Sequence, residues 1–189
     1  WVLAGGNGSG KSTFYRKFLE PAGMLFVNAD VLAKQFFPED PEGNSYLAAQ
    51  LAENLRENLL REGRSFCFET VFSHVSKVDF VARAKALGYQ VILVFIHVES
   101  TELNLARISQ RVNEGGHSVP DDKVQARIPR TLVNIQKVLP LCDHVRILDN
   151  SSAKNPFRQV ATVYKGAVST LVQPLPFWAD ELLNMNVPR

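Results

Sequence analysis

The chain has 189 residues, 46% hydrophobic and 21% charged, with 11 glycines and 10 prolines. That composition excludes collagen-like, low-complexity and disordered classes and suffices for one soluble domain with a real core, taken as residues 1–189. Lysine and arginine total 21 against 19 acids, a formal charge of +2. This is too little for bulk attraction to nucleic acid or an anionic membrane, so neither is expected as a partner and any anion must be held by a local site.

Taken in order, Trp1-Val2-Leu3-Ala4 is an apolar run that meets Gly5 at once, and no initiator methionine precedes it. The sequence is expected to start inside its first strand, with a few upstream residues missing. Further apolar runs at Met24 to Val27, Ser65 to Phe68, Val91 to Val98 and His144 to Leu148 predict buried strands. Between them, Leu47, Leu51, Leu55 and Leu59 predict a helix over Ser45 to Arg61, and a similar pattern covers Ser76 to Leu87. Strands alternating with helices predict an α/β fold with a parallel sheet.

Thr101 to Arg111 is expected to be a helix capped by Ser100, and Asp121 to Leu139 another capped by Asp121, kinked or divided at Pro129. Alternation around Lys165-Gly166 predicts a hairpin, and a helix over Pro176 to Leu183 follows, the two occupying about 157–184. Cys67 and Cys142 read as buried thiols, not as a disulfide or zinc site. No leader-like segment opens the chain, and its longest apolar run is far below the ~20 residues that span a bilayer. The cytoplasm is the expected compartment.

Gly5-Gly6-Asn7-Gly8-Ser9-Gly10-Lys11-Ser12 fits G-x-x-x-x-G-K-S/T between a predicted strand and a predicted helix, with Thr13 following. The glycines allow successive N–H groups to turn toward phosphate oxygens, and the helix start adds its positive dipole end. Lys11 brings charge to the β- and γ-phosphates, and Ser12 offers a hydroxyl to Mg²⁺. The pattern establishes a nucleoside triphosphate site. Because N-K-x-D is absent and the fifth strand ends in Asp149-Asn150-Ser151-Ser152, ATP is the expected nucleotide.

Polar residues just after each parallel strand converge on the ligand crevice. Asp30 follows the second strand and could deprotonate an attacking hydroxyl, or could cap the next helix. Glu69 and Thr70 follow the third, with Ser73 and His74 behind; Glu69 could touch an acceptor, hold Mg²⁺ through water, or pair with an arginine. His97 at the end of the fourth strand reads as a packed residue. Arg107, Arg111, Arg127 and Arg130 lie on two predicted helices joined by a glycine loop containing His117, a candidate lid over about 107–130 that would hold phosphoryl oxygens and exclude water.

These residues resemble the bacterial zeta toxin family of phosphate-loop kinases, through Gly5 to Thr13, Asn28-Ala29-Asp30, Phe68-Glu69-Thr70, and Arg111 before Gly115-Gly116-His117-Ser118-Val119-Pro120. The resemblance implies a kinase of a sugar hydroxyl of uridine diphosphate N-acetylglucosamine, with Asp30 as base and Lys11 and Arg111 as phosphate-binding charges. It also implies that Glu69, Thr70 or Ser73 holds the sugar nucleotide, and that an antitoxin protein is a possible partner. Arg127 or His117 is left to supply the second catalytic charge, with Arg130 a further candidate for substrate contact.

The expected architecture is a parallel sheet of order 2-3-1-4-5 with an edge hairpin. The expected reaction is transfer of the γ-phosphoryl of ATP to a small-molecule hydroxyl, with Mg²⁺. Rival readings are a kinase of another hydroxyl-bearing metabolite or of a nucleic-acid end, and an ATP-controlled binding module.

Overall fold

Successive residues of β1 (Val2–Ala4) enter different cores, Val2 and Ala4 one apolar cluster and Leu3 another. The same split recurs at Cys67 and Phe68 in β3 (Cys67–Thr70), and at Leu93 and Phe95 against Val94 and Ile96 in β4 (Ile92–His97). Strands covered on both faces need apolar side chains at every position, which is why they read as unbroken runs. The structure, a computed structural model, describes residues 1–113 and 120–184, with the backbone alone for Arg111 and Asn113.

The larger cluster is closed by α3 (Ser45–Arg61), α4 (Ser76–Ala86), α6 (Asp121–Val138) and α7 (Phe177–Asn184). The smaller is closed by α1 (Lys11–Phe14) and the π-helical turn Tyr15–Leu19 that continues it. Leucine spacing marks α3, yet the face it buries carries Ala48, Ala52, Arg56, Leu59 and Leu60, while Leu47 and Leu51 stay exposed. Small side chains there let α3 pack closely on α2 (Ala29–Phe36).

The strand order is β2-β3-β1-β4-β5-β6-β7, with β2 at Phe26–Val27, β5 at His144–Asp149, β6 at Arg158–Tyr164 and β7 at Ala167–Thr170. The first five strands are parallel, and β6 and β7 run antiparallel. The hairpin pairs with β5 and extends the sheet to seven strands. Its two-residue turn has positive φ at both Lys165 and Gly166, matching the twist of the strands it joins. With β1 central, the loops after β1, β2 and β3 open on one sheet edge.

Ser100 caps α5 (Thr101–Asn113), its Oγ accepting from the Leu103 N–H at 3.1 Å. Two expectations fail in α6. Pro120, not Asp121, occupies the cap position, and no side chain caps it. Of the two outcomes expected at Pro129, a kink or a break, the break does not occur and the helix runs on; Pro129 and Gln125 are exposed, so the carbonyl deprived of its donor can be hydrated. Cys67 and Cys142 are free and buried, and burial pushes both thiols up to about 12. No helix among the described residues is long and apolar enough to cross a membrane.

Candidate active site

The phosphate loop is wedged between β4 and the end of β5. A Cβ on Gly5 would lie 2.1 Å from the Ile96 carbonyl oxygen, and one on Gly10, where φ is +97°, 2.6 Å from Asn150 Nδ2. Only glycine fits either place. Asn150 Nδ2 donates to the Ser9 carbonyl, Asn150 Oδ1 accepts from the Phe157 N–H, and the Phe14 N–H reaches back to the Gly10 carbonyl to start α1.

Three polar side chains converge on Glu69 at the end of β3. Ser12 Oγ donates to its Oε2 at 2.6 Å, Asn28 Nδ2 donates to the same oxygen at 2.9 Å, and Lys11 Nζ lies 3.7 Å from Oε1. Lys11, 6% exposed, also donates to the Gly6 carbonyl at 2.8 Å. Among the described residues Glu69 therefore pairs with the loop lysine and with no arginine. Asn28 Oδ1 accepts from the Val31 N–H at 3.1 Å and is the cap of α2, which leaves Asp30, exposed in the first turn, outside that role.

These groups line a cleft of about 780 Å³. Its floor includes Asn7, Lys11, Ser12 and Thr13, and one wall carries Asp30, Glu69, Thr70 and Ser73. Beyond β3 the chain turns sharply at Phe72, fully buried with φ of 65°. Thr70 Oγ1 accepts from the Phe72 N–H, while Thr131 Oγ1 and Asn134 Nδ2 of α6 donate to the carbonyls of Val71 and Phe72. One turn earlier on α6, Arg127 enters the cleft with Nη1 3.4 Å from Asn7 Oδ1. The helix that fixes the acceptor-side loop thus also aims an arginine at the phosphate loop.

Arg107 of α5 lines the cleft too, and its Nη1 is buried with no hydrogen-bond partner among the described residues. A phosphate oxygen would satisfy that nitrogen. The donor set also suits a hard divalent cation, since the Ser12 hydroxyl and the Glu69 carboxylate meet beside the loop.

Of the residues expected in the site, Asn7, Gly8, Gly10, Lys11, Ser12, Thr13, Asp30, Glu69, Thr70, Ser73 and Arg127 line this cleft. Gly5, Gly6 and Ser9 shape the loop from behind. Arg130 does not join them: it is exposed, and its Nε donates to the Ala126 carbonyl at 2.9 Å. His117 and the side chain of Arg111 lie outside the described residues. His97 packs against Trp178, ring centroids 4.3 Å apart, and burial holds its pKa down at about 4. Asn28 and Asn150 fall within motifs read from the sequence but have no role there, and Thr131 and Asn134 are not among the residues named from it; for Asn28 and Asn150 the available signal was a polar residue just after a strand.

The model of the AAA domain family matches residues 1–131. An uncharacterized protein of Haemophilus influenzae is 35% identical over 134 residues, covering 67% of this chain and 95% of that protein. The AvrRxo1-ORF1:-ORF2 complex with ATP is similar at a TM-score of 0.70 and 21% identity, covering 90% of this chain and 59% of that one. The PezAT chromosomal toxin-antitoxin system of Streptococcus pneumoniae gives 0.60 and 20%, covering 78% and 66%. This chain therefore spans less than two thirds of the length of either matched chain. A putative kinase from Chloroflexus aurantiacus gives 0.52 and 16%, covering 68% and 77%. The fold is that of phosphate-loop kinases, and the likeness to zeta toxins drawn from the sequence holds at the level of fold. With the family model spanning more than half its length, the chain belongs to the AAA domain family.

Proposed function

We propose that the chain is a cytoplasmic, single-domain kinase that transfers the γ-phosphoryl group of ATP to a hydroxyl of a small molecule. A sugar nucleotide such as uridine diphosphate N-acetylglucosamine is the favoured acceptor. The observation that carries the reading is that Asp30 shares one cleft with Lys11, Ser12 and Glu69. A switch that only reads nucleotide occupancy needs no carboxylate facing the acceptor.

Asp30 accepts the proton of the attacking hydroxyl and orients its lone pair toward the phosphorus. Lys11, Arg107 and Arg127 hold the phosphoryl oxygens as charge redistributes, and Arg111, on the same helix as Arg107, is assigned with them. Ser12 and Glu69 would hold Mg²⁺, which when bound neutralises phosphate charge. Glu69 thereby moves from acceptor contact toward organising the loop, leaving Thr70 and Ser73 nearer the acceptor. Phe157, Pro156 and Ala153 wall the other side beside the phosphate loop, where an adenine can lie. Closure of the segment over about 107–130, including His117, would exclude water.

Support for the sugar nucleotide comes from the zeta-like motifs and from the toxin-antitoxin neighbour. AvrRxo1-ORF1:-ORF2 is a complex of two proteins and PezAT is a toxin-antitoxin system, which supports a neutralising partner protein here. Incubation with ATP, Mg²⁺ and a metabolite mixture that includes uridine diphosphate N-acetylglucosamine, followed by mass spectrometry, should give a product heavier by one phosphate. ADP release unaffected by every small molecule but changed by a protein partner would instead indicate a binding module.

A further inference from the structure

Asn28, just after β2, is 6% exposed and ties together two elements that each carry a carboxylate of the cleft. Its Oδ1 accepts from the Val31 N–H at 3.1 Å and its carbonyl from the Leu32 N–H at 3.1 Å, so it starts α2, whose first turn carries Asp30. Its Nδ2 donates to Glu69 Oε2 of β3 at 2.9 Å. Chemistry fixes which way the amide faces. A backbone N–H only donates and an ionised carboxylate only accepts, so the oxygen must meet Val31 and the nitrogen Glu69.

Capping alone does not select asparagine. Serine, threonine and aspartate cap helices as well, but a hydroxyl offers one atom, one bond shorter, for both tasks, and aspartate would set a second carboxylate against Glu69. Asparagine presents an acceptor to the helix and a separate donor to the carboxylate. The residue type at this position thus answers to Glu69 and not to α2 alone.

The other two described partners of Glu69 belong to the phosphate loop, Ser12 Oγ at 2.6 Å from Oε2 and Lys11 Nζ at 3.7 Å from Oε1. In the proposed reaction both turn to the triphosphate and its cation. The bond from Asn28 comes from outside the loop, and it is left to keep Glu69 aimed once the site is loaded.

We infer that Asn28 is a positioning residue that acts through Glu69, holding this carboxylate where it meets the cation and setting it against Asp30 through the cap of α2. This deepens the kinase reading and rests on it for the roles of the two carboxylates.

The first test needs no acceptor. A non-hydrolysable ATP analogue is titrated by calorimetry at a series of Mg²⁺ concentrations in wild type, Asn28→Ser and Asn28→Gly. Both replacements keep most of the capping preference, melts followed by circular dichroism check the fold, and two variants guard against one that fails to fold. The Mg²⁺ concentration giving half of the gain in nucleotide affinity should rise about tenfold in both, with affinity in the absence of Mg²⁺ changed by less than about twofold, as for loss of a residue that orients a metal ligand. In a Glu69→Gln background the same replacements should add less than about twofold, because the group through which Asn28 acts has already lost its charge. An unchanged Mg²⁺ requirement, or a shift of equal size in the Glu69→Gln background, overturns the role.

Transfer to an acceptor found by mass spectrometry gives the second readout. Asn28→Ser should lower kcat about tenfold and leave KM for the acceptor nearly unchanged; a raised acceptor KM at unchanged kcat overturns the role. A Glu69-dependent Mg²⁺ shift in a protein that phosphorylates nothing sustains Asn28 as the residue that aims Glu69 and removes the kinase reading. Transfer with an unmoved Mg²⁺ requirement does the reverse.

Discussion

Asn150 Nδ2 donates to the Ser9 carbonyl at 2.8 Å, so the end of β5 braces the phosphate loop from behind. Its Oδ1 accepts from the Phe157 N–H at 3.1 Å, tying the proposed adenine wall to the same residue. Asn150→Ala strands the Ser9 carbonyl in a buried position and the Phe157 N–H in a partly buried one, and should cost about 1–3 kcal/mol of stability, read by urea denaturation. Nucleotide affinity should fall with it. Unchanged stability and affinity would mean that the loop holds its shape without the brace.

Lys11 and Asp30 separate binding from chemistry. Lys11→Ala removes the charge at the triphosphate and should abolish turnover. Asp30→Asn should leave ATP affinity intact and cut transfer by roughly 10²–10⁴, the range for a lost general base. Full transfer activity in Asp30→Asn removes the base assignment.

Glu69→Gln keeps a hydrogen-bond acceptor for Ser12 but deletes the charge. If Glu69 helps to hold the cation, the Mg²⁺ concentration for half-maximal turnover should rise by roughly tenfold or more, with a smaller change in KM for the acceptor. A large acceptor effect with no shift in Mg²⁺ demand would return Glu69 to the sugar side.

His97 makes stability depend on pH. Its pKa is about 4 in the fold against 6.5 in a free histidine, because burial opposes the charged ring. Below about pH 6.5 the unfolded chain binds a proton that the fold refuses until about pH 4, so stability falls as pH drops through that window. His97→Phe keeps a ring against Trp178 and should lose less stability than wild type over the same range, measured by urea denaturation at each pH.

Elements whose physics is local were legible in the sequence. Fully apolar runs gave the buried strands, and the register of glycines, Lys11 and Ser12 gave the phosphate loop. Ser100 announced its helix, and Lys165-Gly166 its turn. What escaped depends on partners distant in sequence. Leucine spacing marked α3 but not the alanine face that it buries, because closeness to α2 decides that. Pro129 is tolerated inside α6 where it and Gln125 are exposed, so that water can reach the carbonyl it orphans. Arg107 and Arg130 look alike as a sequence, yet one lines the cleft and the other folds back on its own helix.

Glu69, held by Ser12 and Asn28 and facing Lys11, gives the loop a counter-ion from its own chain. Any incoming anion must outcompete that tethered carboxylate. Orthophosphate would offer little in exchange, whereas a triphosphate would engage many amides at once and bring a metal that Glu69 would help to hold. On the proposed reading the carboxylate would set a threshold that small inorganic ions fail and nucleotides pass.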